Sequence, residues 1–88
     1  MASYKIEWKQ SAKKELKKLD KQIIPRILQA VENLANNPYS SGSKKLIGSD
    51  SIYRIRVGDY RIVYNIKSSV LIIEIIKVGH RREIYRQK

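Results

Sequence analysis

The stretch Ile52-Tyr53-Arg54-Ile55-Arg56-Val57-Gly58-Asp59-Tyr60-Arg61-Ile62-Val63-Tyr64 decides the fold. Two alternating segments, rich in the β-branched and aromatic residues that suit a pleated surface, flank Gly58-Asp59. Glycine reaches φ > 0 without steric cost, so this pair reads as a two-residue hairpin loop of the primed type. Such a loop sets the register, with Val57 opposite Tyr60, Ile55 opposite Ile62 and Tyr53 opposite Tyr64. Side chains alternate between faces, so these six form one apolar face. The other face pairs Arg56 with Arg61 and Arg54 with Val63. Like charges directly opposite one another repel, at a cost on the order of a few tenths of a kcal/mol. Stability alone would favour Thr or a Lys/Glu pair there. Arginine is always charged and its planar fork matches phosphate oxygens. The three guanidinium groups therefore read either as a solvated face with splayed side chains or as a phosphate site.

Downstream, Lys67-Ser68-Ser69-Val70 makes a turn, and residues 71–78 form a further strand. Its nearly unbroken apolar character predicts burial on both faces, with Gly79 ending it. A turn centred on Ser68-Ser69 places Glu74 opposite Val63 on the arginine face, within reach of Arg54. Upstream, Tyr4, Ile6 and Trp8 alternate with Lys5 and Glu7 and predict a short edge strand. Ser11 is set to cap a first helix, in which Ala12, Leu16 and Leu19 form an apolar stripe. The opposite face carries Lys13, Lys14, Lys17, Lys18 and Lys21. It reads first as a solvated helix face, with Glu15 and Asp20 as partial partners, and second as a contact to an RNA backbone.

A second helix shows a broader apolar face from Ile23, Ile24, Ile27, Leu28, Val31, Leu34 and Ala35. Pro25 belongs in its first turn, so the helix starts near Gln22 or Ile23, and Asn36-Asn37-Pro38 ends it. The short link at 20–22 makes the pair an antiparallel helical hairpin. Residues 39–51 are rich in Ser and Gly and predict a surface loop holding one short extended piece at 45–47. The order is β-α-α-β-β-β. Helical hairpin and sheet each have one apolar face and must bury each other. The expectation is a two-layer α+β fold over a single domain, 1–88, with the arginine face exposed.

An 88-residue chain that is 42% hydrophobic suits one small ordered domain. With no cysteine and one histidine, neither a disulfide framework nor a thiolate or histidine-rich metal site is available. The N-terminus has no apolar run of the secretory type, and the longest such run, 70–73, is far too short to span a bilayer. A cytoplasmic protein with no membrane partner is expected. The net charge of +11 and pI near 10.1 favour polyanions: nucleic acid, an acidic protein or an anionic membrane surface. The charge is spread through the folded segments rather than gathered in a basic tail.

Along nearly its whole length the chain resembles the RelE/ParE toxin superfamily, and the RelE branch more than the ParE branch. Ile6-Glu7-Trp8 followed by Ala12 and Leu16, Asn37-Pro38 and Lys45-Leu46 all take part. The specific parts are the central hairpin and the tail Val78-Gly79-His80-Arg81-Arg82-Glu83-Ile84-Tyr85. The resemblance implies a RelE-like fold and the toxin of a toxin–antitoxin pair. It further implies a ribosome-dependent endoribonuclease that cleaves mRNA without a metal or other cofactor. A cognate acidic antitoxin, folding as it binds, is the implied protein partner.

Carried over by position, the resemblance makes Arg54, Arg56, Arg61, Arg81 and Tyr85 the catalytic set. Lys44, Lys45 and Arg82 become RNA contacts. In the implied reaction the ribose 2′-hydroxyl attacks the adjacent phosphate and leaves a 2′,3′-cyclic phosphate. Preformed guanidinium groups suit the charge that builds on such a phosphorus. Tyr85 either stacks on a base or orients the 2′-hydroxyl, or else closes the sheet edge. Some relatives carry Lys at the positions of Arg54 and Arg56, where a lysine can act as general base. Arginine cannot give up its proton. Either another group is the base, with His80 (which otherwise reads as a surface residue) ahead of Glu74, or base catalysis is weak and electrostatics dominate. Two other functions share this fold pattern: a ParE-type inhibitor of DNA gyrase with no nuclease activity, and a non-catalytic basic nucleic-acid-binding module. The latter would lose log affinity nearly linearly with log salt.

Overall fold

The hairpin forms in the register that its turn dictates. The computed structural model describes residues 3–39, 42–46 and 48–80. Its elements run β1 (Lys5–Trp8), α1 (Gln10–Lys17), α2 (Ile24–Asn36), β2 (Lys44–Lys45), β3 (Ile52–Val57), β4 (Tyr60–Lys67) and β5 (Ile72–His80). Across β3 and β4 the partners are Val57 with Tyr60, Arg56 with Arg61, Ile55 with Ile62, Arg54 with Val63 and Tyr53 with Tyr64. Gly58 takes φ of +60° while Asp59 is not in the positive-φ region, the pattern of a type II′ turn. A Cβ at Gly58 would meet nothing closer than an Arg26 nitrogen at 4.0 Å, so the backbone angle, not space, calls for glycine.

The sheet order is β1-β5-β4-β3-β2. β1 lies at one edge, parallel to β5, and the two-residue β2 lies at the other, antiparallel to β3. The helices cover one face. Ala12 from α1, Ile27, Val31 and Leu34 from α2, and Ile55, Ile62, Tyr64, Ile66, Ile73, Ile75 and Val78 from the sheet form one buried cluster. Each large member contributes roughly 1.5–3 kcal/mol by leaving water. This is the expected α+β arrangement, with β2 standing as a fifth strand. Among the described residues no helix is long and apolar enough to cross a membrane.

Several local expectations change. Ser11 does not cap α1. The Lys9 N–H is still bonded to the Ile75 carbonyl at 3.0 Å, so the helix starts at once at Gln10 with Lys9 as N-cap and no side-chain cap. Asp20 does the turning work between the helices, accepting the Gln22 N–H at 3.2 Å through its side chain and the Ile23 N–H at 3.0 Å through its carbonyl. Leu28 lies on the flank of the α2 stripe and is exposed. Between β4 and β5 the turn spans four residues instead of two, since Lys67 pairs with Ile72. Leu71 takes φ of +56° there, a conformation that costs a branched residue roughly 1–2 kcal/mol. Its carbonyl accepts the Lys5 N–H at 2.8 Å, which holds it in place.

β5 is buried chiefly on its helix side rather than on both faces, and it runs through Gly79 to His80. Its pairing with β4 shifts between Val63 and Tyr64: Tyr64 faces Ile75 and Val63 faces Lys77, leaving Ile76 as the extra residue of a β-bulge. Beyond the end of β1, the free edge of β5 meets α1. The Glu15 carboxylate accepts the Val78 N–H at 3.0 Å and the Lys77 ammonium at 3.4 Å.

At the β2 end of the sheet a stack of tyrosines closes the core. Tyr53 stacks on Tyr64 at 6.1 Å, and Tyr39 meets Tyr53 edge-on at 5.5 Å. The Tyr64 hydroxyl donates to the Pro38 carbonyl at 2.9 Å, tying the end of α2 to the sheet. Burial pushes the Tyr64 hydroxyl up to about 12 from an ordinary 10.0. Tyr64→Phe is expected to cost about 1 kcal/mol in urea unfolding at neutral pH, because it leaves the Pro38 carbonyl without its donor. The raised folded value means that stability from the neutral phenol is complete below pH 10.0 and is lost as pH climbs toward about 12. The wild-type advantage over Tyr64→Phe should shrink across that interval and not below it.

Candidate functional site

Strand alternation delivers the cations to one place. Arg54 and Arg56 leave β3 on the face away from the helices, and Arg61 leaves β4 on the same face, directly opposite Arg56. β2 adds Lys44, which pairs with Arg54 and therefore shares its face. These four line a cleft of about 280 Å³ together with Gly42 and Ile55. The charged side chains among its described lining residues are all cations. Gly42 and Ile55 carry no chemical signal that would have marked them in advance.

The three arginines are not equally exposed. Arg56 is open to solvent and Arg54 is half-buried, but Arg61 is only 5% exposed. Its neighbour Val63, on the same face, is buried too. The expectation of a wholly exposed arginine face is thus corrected at β4. That strand lies in the middle of the sheet, with partners on both sides, and its side chains are flanked from two directions. Opposite Arg61 stands Gly79, which adds no side chain to this face. Arg61 is a buried group in the cleft, while Arg56 is an exposed one at its mouth.

Neither candidate general base belongs to this cleft. His80 pairs with Tyr60, so alternation sends it to the helix side, where its ring meets the Tyr60 ring edge-on at 5.5 Å. The sheet stands between it and the arginines, because β5 continues one residue past Gly79 instead of stopping there. The longer β4–β5 turn moves Glu74 opposite Asn65 rather than Val63, and its carboxylate lies 3.8 Å from Lys67. Lys45 is also separated from Lys44. It pairs with Tyr53 on the helix-side face and its ammonium lies 4.0 Å from Asp50, an exposed contact of little energetic weight. Arg81, Arg82 and Tyr85 lie outside the described residues. The five lysines of the first helical segment, Lys13 to Lys21, are all exposed.

A guanidinium pair opposed across a ladder, with a third guanidinium and an ammonium beside it, can grip a phosphodiester and neutralise added charge on it. Among known proteins, the family model described as the ParE toxin of type II toxin–antitoxin systems, parDE, matches residues 6–85. A RelE1 toxin of Methanocaldococcus jannaschii is 30% identical over 86 residues, covering 94% of this chain and 96% of that protein. In the RelBE2 toxin–antitoxin complex of Mycobacterium tuberculosis, one chain superposes with a TM-score of 0.82 at 25% identity, over 92% of this chain and 94% of its own length. The archaeal RelE–RelB complex from Pyrococcus horikoshii offers another such chain, with a TM-score of 0.79 at 28% identity, over 90% and 96%.

The difference in burial predicts a difference in stability. Arg61→Ala should lower the unfolding free energy by roughly 1–3 kcal/mol, through lost packing of the stem and lost partners of the head group. Arg56→Ala should stay within about 0.5 kcal/mol of wild type. Urea titrations of the two variants side by side check this.

Proposed function

The chain belongs to the ParE toxin family and is a toxin of the RelBE type, and on that premise we propose that it cleaves messenger RNA on the ribosome. The observation that carries this reading is the cleft where Arg54, Arg56, Arg61 and Lys44 converge. A toxin that acts only by gripping another protein has no chemical need for opposed arginines, whose mutual repulsion is a standing cost. A phosphoryl transfer does need them. Attack of a 2′-hydroxyl on the neighbouring phosphorus adds negative charge to the equatorial oxygens, and preformed cations in a partly desolvated cleft stabilise that charge without reorganising.

In this mechanism Arg61 holds one non-bridging oxygen from its buried position, and Arg56 closes on the phosphate from the open side. Arg54 extends the cationic wall along β3. Arg81 and Tyr85, by family position, serve the leaving oxygen and a flanking base. The antitoxin is an acidic segment that orders as it binds to this +11 surface and covers the arginine cleft. RelE chains in complex with RelB antitoxins are among the similar structures, which supports such a partner.

The test maps the 5′ and 3′ ends of a reporter mRNA in a translating extract. Cuts within the reading frame that end in cyclic phosphate are expected, reduced by ~10²–10³ in Arg56→Ala. Saturating cognate antitoxin should abolish them. The ParE name of the matching family model favours one other reading, gyrase inhibition. Intact mRNA together with stalled gyrase would establish that reading instead.

A further inference from the structure

The arginine cleft has cations enough for a phosphate but leaves the proton of the 2′-hydroxyl unassigned. Arg54, Arg56 and Arg61 cannot take it, because a guanidinium effectively never exists as the free base in a protein. His80 is on the far side of the sheet, beside Tyr60, and Glu74 is displaced along β5 beside Lys67. Among the described residues that line the cleft, one side chain can exist in a proton-accepting form, and that is Lys44.

Its place there is a matter of strand geometry. Lys44 and Lys45 make the whole of β2, and alternation parts them: Lys44 shares the face of Arg54, and Lys45 shares that of Tyr53. The lysine therefore reaches the cleft from the edge strand. The arginines reach it from β3 and β4, so amine and guanidinium groups approach a bound phosphodiester from different strands. We propose that Lys44 is the general base of the cleavage reaction, a role distinct from holding the RNA backbone. The inference rests on the nuclease reading.

The step balances as follows. The neutral Lys44 amine takes the 2′-hydroxyl proton as the O2′–P bond forms, and the P–O5′ bond breaks with its electron pair going to O5′. The departing oxygen takes a proton from solvent, and the Lys44 ammonium returns one to solvent. The RNA yields a 2′,3′-cyclic phosphate and a 5′-hydroxyl, with no water consumed. The charged groups facing Lys44 from the packed strands are Arg54 and Arg56 on β3 and Arg61 on β4. All of these are guanidinium groups, which keep their charge at any working pH.

The experiment measures single-turnover cleavage on purified ribosomes stalled on a defined mRNA, for wild type, Lys44→Arg and Lys44→Ala. Lys44→Arg keeps the cation and removes the base. Because Lys44 is exposed, neither change threatens the fold, and equal melting temperatures verify that. A general base contributes ~10²–10⁴ in rate, so both variants should fall by that factor while half-saturation by ribosomes hardly moves for Lys44→Arg. The wild-type rate should rise with pH, because only the neutral amine accepts the proton, and Lys44→Arg should lose the part of that rise that depends on the amine. Added small primary amines should restore Lys44→Ala in proportion to their concentration and leave Lys44→Arg unrestored. Cleavage by Lys44→Arg at the wild-type rate and with the wild-type pH slope would overturn the assignment while leaving the nuclease intact. Wild type that yields no cyclic-phosphate ends would overturn the nuclease reading, and the role of Lys44 with it.

Discussion

Everything in this protein depends on parity, and parity is set at the Gly58-Asp59 turn. Two residues, the first held at φ of +60°, oblige Arg56 to face Arg61 and Ile55 to face Ile62. A loop one residue longer would rotate one strand relative to the other and mix cations into the core. Because the turn is so short, one decision sorts tyrosines and isoleucines to one side of the sheet and arginines to the other. Repulsion among the arginines is small beside the burial of Tyr64, Ile62 and Val78 on the other face, each worth roughly 1.5–3 kcal/mol. The apolar side holds the sheet together, and the charged side can be arranged for chemistry.

The edges of the sheet are managed by the same economy of side chains. β2 is two lysines long, too short and too charged to template another strand. At the other side β1 covers only the first part of β5, from Ile72 to Ile75, and beyond it α1 supplies the Glu15 carboxylate to the Val78 N–H. One carboxylate thereby stands in for a missing strand and also meets Lys77. With the edges closed in this way, the cations of Lys44, Arg54, Arg56 and Arg61 gather in the cleft between them.

Local constraints were legible in the sequence, and cumulative ones were not. The β3–β4 register follows from two adjacent residues and was readable to the last pair. So was the start of α2, since Pro25 restricts it to a single neighbourhood. Failures arose where a distant partner decides. Ser11 looked like a cap, but the ladder bond from Lys9 to Ile75 brings the helix start forward. The β4–β5 turn looked like two residues because nothing in Ser68-Ser69 marks Leu71 as left-handed; the Lys5 contact that stabilises it comes from the other end of the chain. Alternation alone puts the three arginines on one face of the hairpin. His80 lies on the helix side because Gly79 does not end the strand: paired opposite Arg61, it is simply a strand residue. Lys44 and Lys45 looked alike until β2 showed that they belong to opposite faces.

The bulge at Ile76 has a consequence for how this chain can vary over evolutionary time. Before it, residues 73 and 75 face the helices; after it, residues 78 and 80 do, so odd positions hand over to even ones in the middle of one strand. Related chains that lack the extra residue must invert their polar and apolar phase from that point onward, or shed a residue elsewhere to restore it. Single insertions and deletions in β5 should therefore be inherited as compensated pairs, and a gap-free comparison across this strand would align core against surface. The bulge works as a frameshift written in geometry, and it decides on which side of the sheet Val78 and His80 lie.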